Sequence, residues 1–173
     1  MSDGGAAVRA VVSAQDLEIL QRQLGRGARG VAGVAARCAC GKPCVVATEP
    51  RLPDGTPFPT VYYLTCPRAA SVIGTLEATG VMAEMQQRLD TDAQLAAAYE
   101  SAHTAYLADR EALGQVPEIA GISAGGMPNR VKCLHVLAAH ALAAGPGVNP
   151  LGDEVLARIA GWWSPTACLE AEQ

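Results

Sequence analysis

The chain has 173 residues, a formal charge of -4 and a sequence pI near 5.3. That length fits one domain, and the acidic balance leaves no global positive field to draw the protein to nucleic acid or an anionic membrane. Hydrophobic residues make up 50% of the chain but aromatic ones only 4%, which predicts a closely packed, helix-rich core.

Ser13 is the natural N-cap of a first helix that runs to about Leu24 and stops at Gly25, with Asp16 as its acidic partner three residues on. Residues 31–37, 44–48 and 61–65 are rich in valine, tyrosine and threonine between Gly/Pro turns, so they read as three short antiparallel strands. Between the last two, the prolines and Asp-Gly of residues 52–59 exclude helix and predict a loop. After Cys66-Pro67 apolar residues recur at helical intervals, with Gly80 dividing two short helices. Residues 92–113 follow as a longer helix, with Asp109, Arg110 and Glu111 expected to face water. Residues 114–126 read as loop, and Pro128 suits the first turn of a buried helix ending at Gly145-Pro146. A last helix is expected from Asp153 to about Trp162, where Trp162 or Trp163 caps the core. The fold class is α+β: a sheet of about three strands against five or six helices. Residues 13–163 form the domain, with flexible tails at 1–12 and 164–173.

Residues 1–12 hold no signal-peptide stretch, and no window approaches the roughly 18 apolar residues of a membrane helix. The expected location is the cytoplasm, where six cysteines are reduced thiols or metal ligands more naturally than a disulfide framework.

Three uncommon strings carry a resemblance. They are Leu52-Pro53-Asp54-Gly55-Thr56-Pro57-Phe58-Pro59-Thr60, then Ser123-Ala124-Gly125-Gly126-Met127-Pro128 leading to Arg130-Val131-Lys132-Cys133-Leu134-His135, and Gly145-Pro146-Gly147-Val148-Asn149-Pro150. Together they resemble the bacterial family catalogued as domain of unknown function 501, over roughly residues 30–161. The resemblance implies a mainly actinobacterial protein, often encoded beside an exopolyphosphatase and a septum formation initiator. It also implies a cysteine at the Cys38 place and a cysteine or histidine at the Cys66 place, with the Cys40 and Cys44 places variable. It supplies no activity and no catalytic residue.

Two candidate sites follow from the residues. Cys38, Cys40, Cys44 and Cys66 fall at strand ends, so thiols gather at one end of the sheet. The metal set expected is Cys38, Cys66 and Cys133, with His140, His135, His103 or Cys40 as fourth ligand, for zinc or an iron-sulfur group. Cys133 and His135 are not expected to share a metal, since on a regular helix they point about 200° apart, although His135 or His140 would be the natural base for a Cys133 nucleophile. Placed near a helix start beside Arg130 and Lys132, Cys133 is also a candidate nucleophile. The second site is for an anion: Gly125 and Gly126 before a helix, with Arg130, Lys132 and Arg51 as cations. The acidic stretches 77–92 and 109–118 read as solvated helix faces. The favoured role is a binding or regulatory module for a small anion or a protein partner. An enzyme acting on a phosphorylated or acidic small molecule and a metal-stabilised scaffold are the alternatives.

Overall fold

The computed structural model describes residues 10–162 and 168–169. Most of both tails expected to be flexible, and Trp163, lie outside the described residues. Helix α1, Ala14–Leu24, opens on a reciprocal capping box in which Ser13 and Asp16 each bond the other's backbone N–H, and it closes at Gly25 with φ 68°. Strands β1 (Val31–Arg37), β2 (Pro43–Thr48) and β3 (Tyr62–Leu64) form an antiparallel sheet in the order β1-β2-β3. The central strand β2 is buried throughout. Its Val45 and Ala47 join the main core, while Val46 and Thr48 turn to the other face beside Leu24, Leu52 and Phe58.

Helices α2 (Pro67–Glu77) and α3 (Val81–Thr91) part at Gly80, whose φ of 83° suits only glycine. Helix α4, Ala93–Glu111, starts at the Asp92 cap as expected. Helices α5 (Leu134–Ala144) and α6 (Pro150–Arg158) complete the element order, with a short 3-10 turn at Pro117–Ile119. Helix α5 has six of its eleven residues buried and none exposed; it packs on the sheet and on α6, where the Leu137 carbonyl oxygen occupies the space a side chain at Gly152 would need. Trp162 is buried in the core as predicted.

Four expectations change. Arg110 is buried, because its guanidinium donates to the carbonyl oxygens of Pro59, Ile119 and Ile122 and so staples two loops to α4. Its neighbour Asp109 accepts a hydrogen bond from the Tyr62 hydroxyl at 2.8 Å. The last helix starts earlier than expected, at Pro150, because the Asn149 side chain caps it through the Gly152 N–H. Helix α5 starts later than expected, at Leu134 and not near Pro128. Gly125 and Gly126, with φ of 70° and 95°, turn the chain so that their carbonyl oxygens take the N–H groups of Lys132 and Arg130. Gln86 of α3 takes the Val131 N–H, and the Tyr99 hydroxyl of α4 donates to the Arg130 carbonyl, so residues 130–132 are held in a non-helical path by partners on other elements.

Candidate active site at the start of helix α5

The late start of α5 leaves Cys133 as its N-cap residue, in extended conformation with φ -152° and ψ 111°. Its own side chain does not cap the helix; the Glu77 carboxylate, at the end of α2, takes the Leu134 N–H at 2.8 Å. Extended backbone at residue 133 brings its side chain round to that of His135. The two were expected to diverge because both were assigned to a helix, and the correction follows from the cap geometry. His135 Nδ1 lies 3.9 Å from Cys133 Sγ and 3.2 Å from Glu77 Oε1, and Nε2 donates to the Ala70 carbonyl of α2 at 3.0 Å.

Two groups that become acceptors when ionised therefore face one ring nitrogen. The Cys133 contact, against the opposing effect of burial and helped by Ala70 and Glu77, pushes the imidazole up to about 9. For Cys133 burial opposes ionisation, but His135 and the backbone N–H groups of Val136 and His135 outweigh it and hold the thiol below its ordinary range. At neutral pH His135 is imidazolium, which favours ionisation of the Cys133 thiol, with Glu77 as the third group. All three side chains are half-buried, so solvent and small solutes reach them. Beside them lies a hollow of about 300 Å³ between β3, α2 and α5, lined by Thr60, Tyr62, Tyr63, Leu64, Ala70 and Val136 with Cys133 and His135. Glu77 had been assigned to a solvated face. The signal that could have marked it is an apolar helix start with no Ser, Thr, Asp or Asn to cap it.

The other predicted residues distribute differently. Arg130 and Lys132 line an open hollow of about 420 Å³ with Gln86, Asp90 and Asn129. The glycines Gly125 and Gly126 form the turn beneath: an added Cβ at Gly126 would meet the Arg130 carbonyl oxygen at 2.6 Å, so the turn itself requires glycine. The N–H groups of Arg130, Val131, Lys132 and Leu134 are all engaged within the protein. Arg51 does not line that hollow; it bonds Glu118 at 2.7 Å and the Gly55 carbonyl at 2.8 Å.

The expected metal set splits. Cys133 sits with Glu77 and His135. His140 is fully buried, stacked on Tyr62 and edge-on to Tyr106, with Asn149 donating to its Nδ1. Desolvation lowers it to about 4, and it is neutral. His103 pairs with Ser123 at 2.8 Å. Cys38 and Cys66 stay at the sheet end, where the cysteines gather as expected and Cys168 joins them, although Cys38 and Cys40 are joined as a disulfide where reduced thiols were expected.

Fold and site together define a small α+β protein whose Cys-His-Glu centre adjoins an apolar hollow. The model of the family described as proteins of unknown function, DUF501, matches residues 34–157, and the chain belongs to that family. No curated protein and no solved structure matches it. Among the described residues no helix is long and apolar enough to cross a membrane.

Proposed function

We propose that the protein is an enzyme that transfers or hydrolyses acyl groups through the Cys133 sulfur. The observation that supports this reading is the mutual contact of Cys133, His135 and Glu77 at the edge of an open hollow. The thiolate adds to the substrate carbonyl carbon, the leaving group departs with a proton from His135, and a thioester remains on Cys133. Neutral His135 then takes a proton from water, which cleaves the thioester and regenerates the pair. Glu77 orients the imidazole and favours its charged form. The residues lining the hollow include no lysine or arginine. This favours an uncharged acyl group over the phosphorylated or acidic substrate that the sequence suggested.

The test is a panel of short-chain p-nitrophenyl esters and thioesters, with mass spectrometry of the trapped protein. The expected result is acylation of the Cys133 peptide and its loss in Cys133→Ser. The reading fails if Cys133 is neither acylated nor alkylated by iodoacetamide faster than a free cysteine at neutral pH. The hollow beside Arg130 and Lys132 favours a second reading, a binding module for a small anion or an acidic segment of a protein partner. That reading requires inorganic phosphate or polyphosphate to raise the melting temperature, and Arg130→Ala to abolish the rise.

A further inference from the structure

Five of the six cysteines converge where the sheet, α2 and the C-terminal segment meet. Cys38 and Cys40 lie on the turn between β1 and β2 and are joined as a disulfide. Their sulfurs and that of Cys168 all lie within 4.8 Å of one another. Cys66, the N-cap residue of α2, shares a hydrogen bond with Cys168 and accepts another from Cys44, which is fully buried beneath it. Cys40 Sγ and Cys168 Sγ are 3.7 Å apart. Sulfurs bound at about 2.3 Å in a tetrahedron around one ion stand about 3.8 Å from each other, so the Cys40–Cys168 distance is that of two ligands sharing a metal, and Cys66 adjoins Cys168 just outside the Cys38–Cys40–Cys168 cluster.

We propose that the reduced sheet end binds one thiophilic divalent cation of the zinc class in tetrahedral coordination by Cys38, Cys40, Cys66 and Cys168. A dithiol reductant opens the Cys38–Cys40 bond: two electrons and two protons pass from the dithiol to the two sulfurs, and the reductant leaves as its own disulfide. The cation then displaces the thiol protons. Cys44, fully buried beneath Cys66, lies outside the ligand set. This set differs from the one expected from sequence, since Cys133 and His140 have no part in it.

The ion would tie the C-terminal segment to the start of α2. That helix carries the Ala70 carbonyl that holds His135 and ends at Glu77, so loading also fixes the frame of the Cys133 centre.

The experiment uses the full chain, reduced with a dithiol, desalted without chelator and shown by thiol titration to be fully reduced. Zinc is measured by elemental analysis, and cobalt(II) is added to metal-free protein. The expected results are about one zinc per chain and the intense ligand-field and sulfur charge-transfer bands of tetrahedral thiolate cobalt. Cys40→Ser and Cys168→Ser should each weaken zinc binding at least about 10-fold, whereas Cys133→Ser should leave it unchanged. Under about a tenth of a metal ion per reduced chain, without those cobalt bands, overturns the proposal. So does equal loss of metal in Cys133→Ser, which would move the site to the other centre. An inert Cys133 in a metal-loaded protein sinks the acyl-transfer reading alone.

Discussion

His135 and His140 stand five residues apart on one helix and hold opposite charge states. His135 is half-buried, bonded at both nitrogens and pushed up to about 9; His140 is fully buried, bonded at Nδ1 alone and lowered to about 4. Exposure accounts for part of the difference, and partners account for the rest. A cysteine sulfur and a carboxylate face the first ring, whereas two tyrosine rings and a neutral amide surround the second. Reactivity therefore belongs to the first turn of α5, and the middle of the same helix is structural.

The largest effect that would break this contrast concerns the thiol. Cys133→Ser should reduce the fast phase of iodoacetamide labelling at pH 7 by about 100-fold or more, while His140→Gln should leave that phase unchanged. Rapid labelling that survives in the serine variant would transfer the reactive thiol to the sheet end. Next comes the acid limb of stability. A histidine whose folded pKa is about 4 binds its proton later than the unfolded chain does near 6.5, so stability is full above 6.5 and is lost as pH falls through 4. That interval corresponds to about 3 kcal/mol. Urea unfolding of His140→Gln at pH 6.5 and pH 4 should show the difference between the two pH values shrinking by about that amount, whatever the variant costs at pH 6.5.

Glu77→Gln sharpens the comparison at the reactive end. It keeps an acceptor for the Leu134 N–H but removes the charge beside His135, so the imidazole pKa should fall, as read by NMR, while the Cys133 thiol, which the same charge holds up, should ionise more readily. An unchanged histidine titration by NMR would mean that Cys133 alone holds the proton on the ring.

The sequence disclosed what local chemistry decides. The Ser13–Asp16 cap, the Gly80 break, the Asp92 start and the three valine-rich strands each rest on residues within one or two turns, and each is found where it was expected. The start of α5 was not legible, since Pro128 suits a first turn. What prevents helix there is the hydrogen bonding of residues 130–132 to Gln86, Tyr99 and the Gly125–Gly126 turn, partners on other elements. That single misplacement set Cys133 and His135 apart as ligands and left His135 and His140 undecided as the base, because a helical angle was applied to a residue in extended backbone. Arg110 was hidden for a related reason: its partners are three loop carbonyls, which no charge pattern reveals. Cys168 was hidden by its distance along the chain from the thiols it joins.

The smallest effect lies on the alkaline side of the same contrast. His135 keeps its proton to about 9, against 6.5 in the unfolded chain, so its contribution is full below 6.5 and is lost as pH rises through 9. About a third of its side chain meets solvent, which screens the charge and limits the contribution to about 1 kcal/mol. His135→Asn should therefore flatten the loss of stability between pH 6.5 and 9 by that amount, measured by urea unfolding, and leave the acid limb untouched. His140→Gln should do the reverse. If both substitutions flattened the same limb, the two rings would be coupled through α5, and the separation of a reactive end from a structural middle would fail.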